Sequence, residues 1–307
     1  MIENISVSGK ELSEEILADL AAKVSHEVTE NFERKPKLVV VTVGEDQASK
    51  VYVRNKEKAC EKIGINFENI KFSEKDSFAI ISAAMHKLAN DDEIDGIIVQ
   101  LPIVSDVLSA SEKQTICNAV PNEKDVDGFG LKSKLAVYEG CKDTKAFYPC
   151  TPTGCIKLLD KAEALEKENN KDFTYQGLNA LVIGRSDIVG KPVANMLMAK
   201  NMTVTVAHSK TPIAELRKAV KHADVIISAV GKQLPVATMH ANAFVIIDVG
   251  MNRDTNGKLC GDLSEDWKKT NSKFYTPVPG GVGPMTVCML MSNVVKAWEY
   301  NIKKEQF

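Results

Sequence analysis

Tyr52 and Lys56 stand at i and i+4 in a segment, 48–63, whose pattern is helical, so they share one face; Ser49 lies one turn earlier on the same side. On spacing alone such a pair is surface decoration far more often than chemistry. Gln100 gives it a second meaning. It closes the apolar run Gly96-Ile97-Ile98-Val99-Gln100, a strand of the kind whose C-terminal end carries sites in open α/β sheets. An amide there can hydrogen-bond a lysine amine, and a lysine drawn out of water loses basicity and can move protons near neutrality. Lys124-Asp125-Val126-Asp127-Gly128 adds two carboxylates. A pair could serve glycoside hydrolysis, which nothing else in the chain supports. A single carboxylate suits the N–C–N edge of a pterin or guanine, and an Asx turn ending in Gly128 is an equal alternative.

The run Pro279-Gly280-Gly281-Val282-Gly283-Pro284-Met285-Thr286 packs three glycines and two prolines between the apolar run Phe274–Val278 and a helical pattern from Met289 to Trp298. Proline fixes φ, and glycine permits positive φ and lets another molecule approach the backbone. The run reads as a ligand-contacting loop, against a tight turn placing Pro284 at the start of a helix.

Gly184-Arg185-Ser186-Asp187-Ile188-Val189-Gly190-Lys191-Pro192 follows the apolar run 178–183. A glycine turn between strand and helix sets backbone N–H groups and a positive helix end where a pyrophosphate binds. The spacing departs from G-x-G-x-x-G, so a plain βα turn remains open. The next strand, 203–207, ends in His208-Ser209-Lys210-Thr211 without the acid that usually meets an NAD ribose. Cations and hydroxyls there, with Arg185 nearby, suit a 2′-phosphate, which favours NADP over NAD; a solvated strand end is the alternative.

The elements that must position these groups alternate. Helices are expected over 10–32, 48–63, 78–88, 151–159, 193–199 and 213–220, and strands over 38–43, 66–72, 96–100, 178–183, 203–207, 225–230 and 244–249. Residues 163–176, polar and charged, read as a surface excursion. The fold class is α/β: two domains with parallel sheets flanked by helices, the second Rossmann-like, and a cleft between them. The expected division is 1–149, completed by a C-terminal helix 285–307, and 150–284, with the boundary near Tyr148-Pro149-Cys150-Thr151-Pro152.

Composition excludes several classes. The 307 residues are 26% charged and 44% hydrophobic, with a formal charge of −2, so nothing argues for nucleic acid or an anionic membrane. No apolar stretch has spanning length and no secretory leader is apparent. Seven scattered cysteines without C-x-x-C suit neither a disulfide framework nor zinc, and imply reduced thiols in a cytoplasmic setting. No metal is expected.

In these motifs the chain resembles the bifunctional methylenetetrahydrofolate dehydrogenase/methenyltetrahydrofolate cyclohydrolases along nearly its whole length. The resemblance rests on Ala48-Ser49-x-x-Tyr52-Val53-x-x-Lys56, Gln100-Leu101-Pro102, Lys124 to Gly128, Thr151-Pro152-x-Gly154, the Gly184 turn, His208-Ser209-x-Thr211 and the Pro279–Thr286 run. Ile103 departs from the usual Leu or Val, a volume-conserving change. The resemblance implies NADP-linked oxidation of 5,10-methylenetetrahydrofolate, then hydrolysis to 10-formyltetrahydrofolate in the same cleft, within one-carbon metabolism and purine biosynthesis. It makes Lys56 the general acid/base, Gln100 the group that tunes it and Tyr52 its neighbour beside the folate ring. Asp125 would bind the pterin edge, with Val53, Val99, Leu101 and Pro279, Gly280, Gly281, Val282 and Gly283 lining the folate side. Gly184, Arg185, Ser186, Ser209 and Met251 would hold the dinucleotide. A homodimer through the dinucleotide domain is also implied. A dehydrogenase without the hydrolase step and a non-catalytic folate or nucleotide binder are the rival readings, and 307 residues leave no room for an added formate–tetrahydrofolate ligase domain.

Overall fold

The computed structural model describes residues 4–31, 34–143, 145–235 and 239–305. In chain order the elements are β1 (Ile5–Ser6), α1 (Gly9–Glu30), β2 (Lys37–Val43), α2 (Gln47–Ile63), β3 (Asn66–Phe72), α3 (Phe78–Ala89), β4 (Gly96–Val99), α4 (Ala110–Asn118), α5 (Leu131–Tyr138), α6 (Cys150–Lys167), β5 (Asn179–Ile183), α7 (Gly190–Ala199), β6 (Thr203–Ala207), α8 (Ile213–His222), β7 (Val225–Ser228), β8 (Ala243–Asp248), β9 (Asn252–Arg253), β10 (Leu259–Cys260), α9 (Glu265–Asn271), β11 (Ser272–Tyr275) and α10 (Val282–Glu305). The expected last residue of the first helix, 32, and the expected end of the last, 306–307, lie outside the described residues. The chain divides into two compact units, one holding Glu15–Lys134, Lys145–Tyr148 and the chain from Val287, the other the chain through Glu14, Leu135–Thr144 and Pro149–Thr286.

In the first unit β2 is apolar on both faces, as a central parallel strand must be, and pairs with β3 on one side and β4 on the other. The chain leaves β2 through α2 to reach β3, then returns through α3 to β4 on the opposite flank. The C-terminal ends of β2 and β4 therefore form a topological switch point, where open sheets leave a crevice. Val39, Val41, Ile81, Met85, Ile94, Ile97 and Ile116 fill one core face. The C-terminal stretch of α10 is fastened by Trp298, whose indole N–H donates to the Arg34 carbonyl at 2.8 Å. Arg34 grips the buried Asp95 carboxylate bidentately at 2.7 and 2.8 Å, and Asn301 donates to the same carboxylate at 2.9 Å.

The second unit carries a six-stranded sheet in the order β1-β11-β8-β7-β5-β6, parallel throughout. Its switch point lies between the ends of β5 and β7. Ile5 and Ser6 pair with Phe274 and Tyr275, so this segment of the expected first domain joins the second unit's sheet; two residues are too few to show a period. The reading of 163–176 as a surface excursion holds over 168–172, which are exposed, and is corrected on either side of them. α6 continues to Lys167, with Ala162 buried, and Phe173 then stacks on Phe244 with centroids 4.3 Å apart. Tyr175 is buried and donates from its hydroxyl to the Leu159 carbonyl at 2.8 Å. Two aromatic anchors among charged neighbours outweigh the polar composition.

Candidate active site

α2 starts on Asp46, whose carboxylate accepts from Ser49 N–H at 2.7 Å, and stops at Gly64, where φ is +82°. These ends fix which face meets the sheet. Val53 and Cys60 point inward, Tyr52 stays 41% exposed, and Lys56 lies half-buried between them. Lys56 Nζ donates to Gln100 Oε1 at 2.9 Å. Gln100 is the last residue of the expected strand; it lies one residue past the observed end of β4, and its backbone N–H still donates to Val41 O at 2.8 Å. Its Nε2 donates to the Leu101 carbonyl at 2.9 Å, and Ser49 Oγ donates to the same oxygen at 3.1 Å. Val99 is half-buried, whereas Leu101 is 50% exposed, so apolar surface at Tyr52 and Leu101 is left open in the same unit as the amine. The structure thus joins Ser49, Lys56, Gln100 and Leu101 in one hydrogen-bonded group at the β2/β4 switch point.

Asp125 is buried in the segment that runs beside β4, where Ile97 N–H donates to the Lys124 carbonyl at 2.9 Å. Its carboxylate accepts from Phe129 N–H at 3.2 Å, Gly130 N–H at 2.7 Å and Ser133 Oγ at 3.1 Å, just ahead of α5. Burial raises its pKa above the ordinary carboxylate value, against the pull of those bonds. Gly128, with φ +75°, also closes a turn by donating to the Asp125 carbonyl at 3.0 Å. Turn-building is therefore a definite part of what this residue does. Lys124 is spent locally, donating to the Leu88 and Asp91 carbonyls at 3.3 and 2.6 Å, and burial lowers its pKa.

In the other unit Gly184 ends β5 with φ +127°, and a Cβ there would stand 2.2 Å from the Ala229 carbonyl oxygen beyond β7. A Cβ on Gly190 would meet Gly184 O at 2.4 Å. Both glycines are needed for strand, turn and helix to close together, the role of glycine in a dinucleotide-binding turn. Ser186 Oγ accepts from Val189 and Gly190 N–H at 3.2 and 3.3 Å, at the start of α7. Arg185, Ser186, Ser209 and Lys210 are exposed, and His208 N–H donates to Thr211 Oγ1 at 2.9 Å to close the turn after β6. A backbone cradle, a helix N-terminus and a nearby guanidinium are what a dinucleotide's phosphates require.

The glycine-rich run is both turn and loop. α10 begins at Val282, so Val282, Gly283 and Pro284 form its first turn. Pro279 and Gly283 are exposed, but Gly281 and Val282 are buried, and a Cβ on Gly281 would meet Pro277 O at 2.6 Å. A Cβ added to Gly283 would come 3.9 Å from Met251 Sδ, which puts Met251 beside the run. Sequence reasoning missed the acids behind Met251. Asp248 accepts from Gly250, Asp262 and Leu263 N–H, each at 2.9 Å, and Asp262 accepts from Ser228 Oγ at 3.0 Å and Val230 N–H at 2.7 Å. An acid ending the run Val245-Ile246-Ile247 was the available signal. Among the described residues no group of three or more His, Cys, Asp or Glu could hold a metal ion, and no helix is long and apolar enough to cross a membrane.

Residues 7–127 match the catalytic domain of tetrahydrofolate dehydrogenase/cyclohydrolase, and residues 149–302 its NAD(P)-binding domain. The chain is 42% identical over 294 residues to the bifunctional protein FolD of Paracidovorax citrulli, covering 95% of this chain and 97% of that protein. Its fold is similar to the FolD methylenetetrahydrofolate dehydrogenase/cyclohydrolase of Campylobacter jejuni, at a TM-score of 0.85 and 35% identity over 96% of this chain and 99% of that one. A Trypanosoma brucei FolD structure, complexed with NADP and an inhibitor, superposes at a TM-score of 0.86 with 27% identity, covering 99% and 100%. With both domains matched and relatives of that identity along almost its full length, the chain belongs to the tetrahydrofolate dehydrogenase/cyclohydrolase family.

Proposed function

We propose that this chain oxidises 5,10-methylenetetrahydrofolate with NADP and hydrolyses the 5,10-methenyltetrahydrofolate formed, with Lys56 as the proton-transfer group. The observation that carries the reading is the Lys56 Nζ–Gln100 Oε1 bond of 2.9 Å at the β2/β4 switch point. NADP, when bound, supplies the hydride acceptor, so oxidation asks the protein mainly for alignment. Hydrolysis asks for more. Water adds to the methenyl carbon and loses one proton to give a neutral hydroxy adduct. N5 then gains a proton as its bond to that carbon breaks, and the adduct's hydroxyl loses its remaining proton to become the formyl oxygen on N10, with one proton released overall. Lys56 serves as base and then acid, held by Gln100. Tyr52 and Leu101 offer apolar surface for the folate ring, with Val53 and Val99 behind. Asp125 binds the pterin edge with the lone pairs that its three internal bonds leave free. Pro279, Gly280 and Gly283 contact folate through backbone, and Gly281 and Val282 hold that backbone in shape.

Gly184, Ser186 and the start of α7 hold the pyrophosphate, Met251 the nicotinamide end, and Arg185 with Ser209 the 2′-phosphate that selects NADP. We further infer a homodimer through the dinucleotide unit, where β6 ends the sheet as an edge strand with Val206 41% exposed. A cytoplasmic setting suits seven cysteines that form no disulfide, and the formyl product suits the transfers of purine biosynthesis. The test follows cofactor reduction and methenyl absorbance together, with NADP and then NAD. The reading expects reduction with little methenyl build-up and at least tenfold greater kcat/KM with NADP. Accumulating methenyltetrahydrofolate would remove the hydrolase step, and equal use of both cofactors would remove the NADP preference.

A further inference from the structure

Lys268 sits in α9 with no exposed side-chain surface. A buried ammonium is costly unless partners surround it. Here it donates to the Thr276 carbonyl at 2.8 Å and to Glu265 Oε1 at 2.5 Å, and lies 3.7 Å from Asp248 Oδ2. Each partner leads to one of two segments already named. Thr276 opens the segment that leads through Pro277 and Val278 into the proline–glycine run, and its hydroxyl oxygen accepts from Asp248 N–H at 2.9 Å. Glu265 Oε1 accepts from Val278 N–H, the residue just before that run, at 3.1 Å. Asp248 accepts from Gly250 N–H, one residue before Met251, at 2.9 Å. Two glycines make room for the acids: a Cβ on Gly261 would stand 2.0 Å from Asp248 Oδ2, and one on Gly250 would stand 2.3 Å from Asp262 Oδ1. The far end of the 276–281 loop is tied separately, by Lys10 N–H donating to Gly280 O at 2.9 Å and by Gly9 lying against Gly281 O.

We propose that Lys268 is a positioning residue: its buried ammonium, shared by Asp248, Glu265 and the Thr276 carbonyl, sets the shape of the 276–281 loop and its distance from Met251, and so the affinity for folate. The proposal rests on the reading that this loop contacts folate. An apolar side chain at 268 leaves two carboxylates without their shared cation and a buried carbonyl without a donor. The strain then falls on the loop and not on the Gly184 turn, which supplies none of the partners Lys268 shows: Glu265, Asp248 and the Thr276 carbonyl.

The experiment compares wild type with Lys268→Met and, should that variant not fold, with Glu265→Gln, which keeps Lys268 but removes the charge beside Val278. Amide hydrogen exchange is followed for segments 276–281, 250–252 and 184–190. Steady-state kinetics and NADP binding are measured in parallel. The proposal expects exchange at least tenfold faster in 276–281 and 250–252 with 184–190 unchanged. It also expects folate KM raised at least fivefold, with kcat and the NADP Kd within twofold. Unchanged exchange in 276–281, a uniform rise in all three segments, or an unchanged folate KM beside faster exchange overturns it. A wild-type protein that does not turn over folate would defeat the functional reading instead, and the exchange pattern would still decide whether Lys268 holds the loop.

Discussion

Gln100 presents its amide oxygen to Lys56 because its amide nitrogen is already committed. Nε2 donates to the Leu101 carbonyl at 2.9 Å, and Oε1 is left 2.9 Å from Lys56 Nζ. Ser49 donates to the same carbonyl at 3.1 Å, so α2 is tied to the end of β4 at two points one helical turn or more apart. An amine held this way has a fixed direction, which a proton shuttle needs and an exposed lysine lacks.

Replacing Gln100 by Ala removes the amine's partner while leaving Lys56 in place. A hydrogen bond to a charged group contributes about 1.5–3 kcal/mol, so cyclohydrolase kcat should fall roughly 10- to 100-fold. Stopped-flow decay of methenyltetrahydrofolate measures this, and a rate within twofold of wild type would show that the bond does not matter to turnover.

Asp125→Ala should raise folate KM about tenfold or more and slow both steps, since it removes a charged partner. It should also cost stability, because Phe129, Gly130 and Ser133 lose their acceptor. Ser133→Ala separates the two effects: it loses one internal bond, about 1 kcal/mol, and should leave folate KM unchanged. Denaturant midpoints alongside kinetics test this; equal KM changes in both variants would reduce Asp125 to a turn residue.

Gly184→Ala places a methyl group where the Ala229 carbonyl oxygen stands 2.2 Å away, at φ +127°. The strain should cost about 1–3 kcal/mol and displace the cradle. NADP titration should show affinity reduced tenfold or more, and wild-type affinity would mean that the phosphates bind elsewhere.

Cys60 is buried one turn below Lys56, and burial pushes its thiol up to about 12 from 9.0, outweighing the nearby ammonium. The native thiol stays protonated while the unfolded one ionises above pH 9. Its contribution is therefore complete below pH 9 and is lost as pH rises from 9 towards 12, at up to about 1.4 kcal/mol per pH unit. Chemical denaturation between pH 8 and 11 should show a shallower decline for Cys60→Ala than for wild type. Parallel declines would place the alkaline loss in other groups.

Long periodic elements were legible in the sequence because apolar spacing records which face is buried: α2, β2, β5 and β8 lie within a residue or two of their expected bounds. The Lys56–Gln100 pair was legible for a related reason, since a helix residue and a strand-end residue at a switch point must converge. Short elements left little trace, although Ser109 and Glu112 spell the capping box that starts α4. The arrangement least visible in sequence is the buried set Asp248, Asp262 and Lys268. Its members are far apart in the chain and read singly as a strand-end acid, a loop acid and a surface lysine; only the sheet brings them together.

The central claim is that Lys56 moves protons in hydrolysis while hydride transfer depends chiefly on alignment. Lys56→Met, assayed separately with methylenetetrahydrofolate plus NADP and with methenyltetrahydrofolate alone, tests it most directly. The account predicts a loss of cyclohydrolase kcat of about 10²–10⁴-fold with dehydrogenase activity retained to a far greater extent. Hydrolysis of methenyltetrahydrofolate at the wild-type rate by a folded Lys56→Met protein would contradict it.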